Sequence, residues 1–221
     1  MAAQLEQQSG QAEQAALAAA QREGAHVVPG RCAIVGLGLI GGSFARALSH
    51  GGREVYAFDP NDDIERFAAI DTTAGALTDE LLPTVELIVL ACYPQACVDW
   101  LEAHAGLISP DAIVIDTGGV KRAICERGFA AARRAHITFV GCHPMAGTQF
   151  SGYAHSRADM FQGAPMVVCP PPEVRGVACL ELVDRLEGLL APCGFEKFTV
   201  TTPERHDEVI AYTSQLAHVV S

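Results

Sequence analysis

From residue 31 onward, short apolar runs alternate with stretches in which apolar residues recur every three or four positions. The run CAIV at 32–35 enters a glycine cluster. Such a run, bounded by glycine, predicts a strand buried on both faces, as in a parallel sheet. Ile40, Phe44, Ala47 and Leu48 then recur at helical spacing. EVYAF at 54–58 predicts a second strand closed by Asp59-Pro60, and 62–70 a second helix. LIVLA at 87–91 predicts a further buried strand, leading to a helix that carries Cys97, Val98 and Leu101. Residues 112–115, 137–140, 165–168 and 198–200 predict four more strands. Helices are expected from about Lys121 and through Cys179, Val183, Leu186 and Leu190. This alternation predicts an α/β fold, a mainly parallel sheet with helices on both faces.

The pattern divides the chain into three parts. Residues 1–28 are rich in Ala, Gln and Glu and poor in large apolar side chains, which predicts a flexible or frayed tail. Residues 29–200 carry the strand–helix alternation. Over 201–221, Thr202 can cap a helix that starts at Pro203 and has no stop signal. On that helix Val209, Tyr212, Leu216, Val219 and Val220 share one face, and Asp207, Ser214, Gln215 and His218 the opposite one. The polar stripe contains no Lys, Arg or Glu, which suits the lining of a substrate cleft; a solvated face is the alternative.

Composition narrows the function. The chain has 221 residues, 49% of them hydrophobic. Its mean hydropathy of +0.20 is that of a folding chain. Fifteen basic residues against 26 acidic ones give a net charge of −11, which disfavours binding to a nucleic-acid backbone. Aromatics at 6% supply no stacking platform for single strands. No run of about 18 apolar residues predicts a membrane span. The N-terminus lacks both a basic segment and a continuous apolar segment, so a cytoplasmic protein is expected. The eight cysteines form no CxxC pair, which predicts buried free thiols and no metal.

Two motifs carry chemistry. Gly36-Leu37-Gly38-Leu39-Ile40-Gly41 fits G-x-G-x-x-G between a predicted strand and a predicted helix, the dinucleotide-binding turn of a Rossmann-like fold. Gly36 permits the turn, Gly38 lets a pyrophosphate approach the backbone, and Gly41 lets helix and strand pack closely. The N–H groups and positive dipole end of the helix, around Leu39 and Ile40, would receive the phosphates. Asp59 ends the second strand about 20 residues on, where an acid bonds the ribose hydroxyls and repels a 2′-phosphate, favouring NAD over NADP. The second motif is VGCHPMAGT at 140–148. His143 follows a strand among small residues, on a turn from which it could act as a general base. A histidine bonding a loop carbonyl is the alternative reading.

Together these features resemble the prephenate dehydrogenase family, which includes arogenate and cyclohexadienyl dehydrogenases. The matching stretches are VGLGLIGGSFARAL (35–48), YAFDPN (56–61), DTGGVK (116–121), GCHPMAGTQFSGYAHSRADMFQGAPMVVCP (141–170) and HDEVIAYTSQLAHVVS (206–221). The resemblance implies an NAD-binding domain followed by an all-helical dimerisation domain, of which 201–221 is the first helix, and a homodimer for the full-length protein. It implies oxidative decarboxylation of prephenate to 4-hydroxyphenylpyruvate. His143 matches the catalytic histidine that bonds the substrate's ring hydroxyl. Thr148, Ser214, Gln215 and His218 match substrate-binding positions, and Cys92 and Tyr93 fall where the family contacts the cofactor. Arogenate as substrate, and a non-catalytic dinucleotide-binding module, are the alternatives. There are two departures. Gly119 stands where many members have a serine supporting the catalytic histidine, so that support must come from water, Thr117 or elsewhere. Almost all of the family's helical domain is absent from these residues, including the arginine expected to hold the substrate carboxylate.

Overall fold

The computed structural model describes residues 26–219, with side chains described as far as Tyr212. The tail expected over 1–28 falls almost wholly outside the described residues, as do the side chains of Ser214, Gln215 and His218. The elements follow in the order β1 (Arg31–Val35), α1 (Leu39–His50), β2 (Glu54–Phe58), α2 (Asp62–Asp71), β3 (Gly75–Ala76) and β4 (Leu87–Leu90). Then come α3 (Pro94–His104), β5 (Ile113–Asp116), α4 (Arg122–Ala135), β6 (Thr138–Pro144), β7 (Pro165–Cys169), α5 (Val177–Leu190), β8 (Lys197–Val200) and α6 (Pro203–Val219).

Among the described residues the strands form one eight-stranded sheet in the order β3-β2-β1-β4-β5-β6-β7-β8. Every neighbouring pair is parallel except β6 and β7. The continuous apolar runs are explained by burial on both faces. Successive strand residues point to opposite sides, so Leu87 and Val89 join Ile34, Phe44, Leu48 and Leu186 in one core layer. Ile88 and Leu90 join Val98, Leu101, Ile124 and Phe139 in the other. Helices α1 and α5 cover the first layer, and α3 and α4 the second.

The expected strand over 137–140 is longer in the structure and runs through His143 to Pro144. Antiparallel pairing with β7, in the register Cys142↔Val168, His143↔Val167 and Pro144↔Met166, carries it on. Gly141 and Pro144 look like turn residues in sequence. Here Gly141 is needed because a Cβ would run into Cys125 Sγ on α4, and Pro144 sits at the strand's end, where proline is tolerated. His143 therefore stands on a strand and not on a turn. Strand β3, only Gly75–Ala76, was too short to leave a pattern.

A buried ion pair fastens this region. Asp116 at the end of β5 and Lys121 before α4 are both fully buried and in contact. Lys121 Nζ also donates to the Cys142 carbonyl (2.7 Å). Asp116 accepts from the N–H groups of Gly118 (2.8 Å) and Cys142 (3.1 Å). The pair thus satisfies both main-chain groups of the residue before His143. Removing one partner of such a pair strands the other charge. Lys121→Met should lower the unfolding free energy by about 3–5 kcal/mol, read from the urea midpoint. Adding Asp116→Asn should recover part of the loss.

Candidate active site

The sheet's chain order reverses between β1 and β4, which are neighbours although β2 and β3 intervene in sequence. The helices that follow these two strands, α1 and α3, cover opposite faces of the sheet, the arrangement that leaves a ligand crevice at the strands' C-terminal ends. The glycine turn sits there. Gly36 has φ +92°, and a Cβ on it would meet Ala91 O at 2.9 Å, so the turn lies directly against the one after β4. A Cβ on Gly41 would overlap Gly36 O. A Cβ on Gly38, by contrast, would meet nothing within 4 Å. Gly38 is the N-cap of α1 and supplies no side-chain cap. The first N–H groups of that helix, at Leu39, Ile40 and Gly41, therefore face open space without intrahelical acceptors. These residues fit a dinucleotide's pyrophosphate.

Asp59 follows β2. Its carboxylate accepts from Leu37 N–H (2.7 Å) and from Asn61 N–H (3.0 Å). It therefore braces the glycine turn, and each oxygen keeps a lone pair for a ribose hydroxyl. Across the crevice, Cys92 is half-buried and Tyr93 is 87% exposed. The Cys92 and Cys97 sulfurs are 3.2 Å apart, and this hydrogen bond holds the Cys92 thiol below its ordinary pKa.

His143 lies two strands beyond β4, about 10 Å across the sheet, on the same C-terminal side. Its Nδ1 is 2.9 Å from His206 Nε2, with the rings edge to face. His206 is on the first turn of α6 and only 3% exposed. Its Nδ1 is 2.7 Å from Asp207 Oδ1. Asp207 in turn accepts from Lys121 N–H (2.7 Å) and Arg122 N–H (2.9 Å), capping α4. Burial, reinforced by His206 and Lys121 and opposed by Asp207, brings the His143 pKa down to about 4. Burial works to raise the Asp207 pKa, but the Arg122 amide, the His206 ring and the Lys121 amide together hold it below the usual carboxylate value.

The sequence places Asp207 on a cleft-lining face with Ser214, Gln215 and His218. The structure instead spends its carboxylate on the end of α4. Val209 and Tyr212, on the apolar face of α6, are 44% and 67% exposed. Thr148 lies in the exposed loop after β6, its hydroxyl accepting from Phe150 N–H (3.2 Å). A Cβ on Gly119 would be 3.7 Å from His143 Nε2, so Gly119 faces that nitrogen without placing a side chain on it. Thr117 does not replace the missing serine, because its hydroxyl bonds the Leu90 carbonyl (3.4 Å). The partner of His143 is His206, which sequence reasoning missed. The signal available was the adjacent His206-Asp207 pair opening the last helix. A cleft of about 620 Å³ between α2 and 151–155 includes none of these residues. No helix among the described residues is long and apolar enough to cross a membrane. Among the described residues, no cluster of acidic, histidine and cysteine side chains could hold a metal ion.

A family model described as the nucleotide-binding domain of prephenate dehydrogenase matches residues 44–192, a span that takes in Asp59, Cys92, Gly119 and His143. The chain belongs to the prephenate dehydrogenase family. A prephenate dehydrogenase of Bacillus subtilis is 29% identical over 195 residues, which are 85% of this chain and 51% of that protein. The chain thus spans about half the length of that relative. The crystal structure of a Synechocystis arogenate dehydrogenase aligns with a TM-score of 0.74 at 30% identity, over 84% of this chain and 64% of that one. A prephenate dehydrogenase from Aquifex aeolicus, in complex with hydroxyphenyl propionate and NAD+, aligns at 0.73 and 27%, over 86% and 66%. The glycine turn, Asp59, Cys92, Tyr93 and His143 all lie at or just beyond the C-terminal ends of strands β1, β2, β4 and β6.

The depressed pKa of His143 has a consequence for stability. Between the ordinary value of 6.5 and about 4, residue 143 binds a proton in the unfolded chain but not in the folded one. Its contribution is present above that window and is lost as pH falls through it. The melting temperature should drop across this range, and the drop should be shallower in His143→Gln.

Proposed function

We propose that this chain is the cofactor-binding and base-bearing part of an NAD-dependent prephenate dehydrogenase, one that converts prephenate to 4-hydroxyphenylpyruvate. The observation that carries the reading is a half-buried His143 held at Nδ1 by His206, with Nε2 toward Gly119, about 10 Å along the strand ends from a dinucleotide turn. The turn from Gly36 to Gly41 holds the pyrophosphate, and Asp59 takes the ribose hydroxyls. Bound NAD supplies the hydride acceptor. His143 takes the proton of the ring hydroxyl as that carbon is oxidised, and the ring becomes aromatic when carbon dioxide leaves. Thr148, Ser214, Gln215 and His218 complete the substrate side, in a homodimer. The named activities of the relatives support this reading and also support arogenate, which carries an amino group where prephenate has a keto group.

Dinucleotide affinity is measured on the chain itself. Turnover is followed as NADH absorbance, with prephenate and with arogenate, in a version extended by the C-terminal part of the Bacillus subtilis relative. Turnover with one of these substrates is expected; none with either, in a folded protein that binds NAD, would refute the reading. His143→Asn should reduce turnover by roughly 10²–10⁴-fold with dinucleotide affinity unchanged. Asp59→Asn keeps an acceptor for Leu37 N–H but removes the charge. It should raise NADP affinity relative to NAD by about tenfold, the scale of one partly screened charge contact.

A further inference from the structure

We infer that His206, held by Asp207, is a positioning residue that fixes His143 in its Nδ1–H tautomer and so makes Nε2 the proton acceptor. The inference deepens the dehydrogenase reading and rests on it for the use to which the base is put. The placement of protons follows from the hydrogen-bond geometry together with a neutral His206.

The chain of hydrogen bonds starts at α4. Two amides, Lys121 N–H and Arg122 N–H, point at the Asp207 carboxylate from a helix N-terminus. That setting favours the ionised form, which can only accept. The Asp207 contact at 2.7 Å therefore requires the proton on His206 Nδ1. A neutral His206 then has a lone pair at Nε2, and the 2.9 Å contact with His143 Nδ1 requires a proton on the latter. His143 Nε2 is left with its lone pair, on the side where Gly119 adds no side chain.

Each alternative breaks a bond. A proton on His143 Nε2 instead would set two lone pairs against each other across 2.9 Å. Turning His206 to its Nε2–H form to mend that contact would set a lone pair against the Asp207 carboxylate at 2.7 Å. Protonating Asp207 to mend that in turn works against both helix amides. A doubly protonated His206 would donate to His143 and reverse the assignment, at the cost of desolvating an imidazolium that is 3% exposed and whose one adjacent carboxylate, Asp207, already accepts from two helix amides. Around these rings, Asp116 and Lys121 face the site from the β5–α4 turn, and Arg122 and Asp207 from α4 and α6. One unmade buried hydrogen bond biases the tautomers by at least about tenfold. The arrangement also suits turnover, because a proton arriving at Nε2 leaves the Nδ1–H donor and the whole relay unchanged.

The test is a ¹⁵N-histidine NMR measurement on this chain at pH 7, with His143 assigned by its loss in His143→Gln. A pyrrole-type Nδ1 and a pyridine-type Nε2 on His143 are expected. In His206→Leu the population should shift toward Nε2–H, the form free histidine prefers. In His206→Gln the wild-type tautomer should return, since the amide can donate to Asp207 and accept from His143. A pyridine-type Nδ1 in the wild type would overturn the inference, as would a tautomer that is the same in His206→Leu. The wild type and His206→Gln decide the matter if His206→Leu does not fold. In the extended version, His206→Leu should lower kcat by at least about tenfold with KM nearly unchanged, and His206→Gln should restore most of it. Failure of the dehydrogenase reading would show separately, as a correct tautomer without turnover of either substrate.

Discussion

The ion pair between Asp116 and Lys121 is the fastening on which the rest of the site depends. Two opposite charges have been taken wholly out of water, and each is then matched by main-chain groups of Gly118 and Cys142. Such a pair adds little net stability compared with apolar packing, but it tolerates no loose geometry. It therefore fixes where β5 ends, how α4 begins and how β6 stands at Cys142. His143 is the next residue along β6, so its backbone inherits that placement. From the other side, Asp207 closes the start of α4 and brings α6 against the sheet. The first turn of α4 is thus gripped by a buried side chain below and a capping carboxylate above.

The crevice shows a similar economy. Asp59 bonds the Leu37 amide while retaining lone pairs for a ligand. The acid that would read a ligand in the glycine turn also shapes that turn, so on the proposed function the two properties change together.

Much of this was legible in the sequence, for physical reasons that differ from residue to residue. The run from Leu87 to Leu90 announced a strand because both of its faces are buried, and every position must be apolar. Glycines at 36 and 41 announced the turn because a side chain at either would strike neighbouring backbone, and Gly38 because it leaves the space before the helix open. The strand through His143 was read short because Gly141 answers to a helix packed behind it and Pro144 to the end of a ladder, neither of which a local pattern reveals. His206 stayed hidden because its meaning depends on α6 meeting β6. The capping role of Asp207 stayed hidden because helical periodicity gives an angle around an axis and says nothing about which neighbour occupies it.

Gly119 gives the site its direction of support. Among the described residues the ring of His143 makes its hydrogen bond with His206, outside the sheet, and none with the β5 side. On the proposed function, nucleotide recognition lies within the strand ends, whereas the base is completed by a later segment of the chain. The two capacities are then modular. Evolution or an engineer could keep the nucleotide cradle while retuning the base through changes at the start of α6 alone, and the reverse change could be made with equal independence.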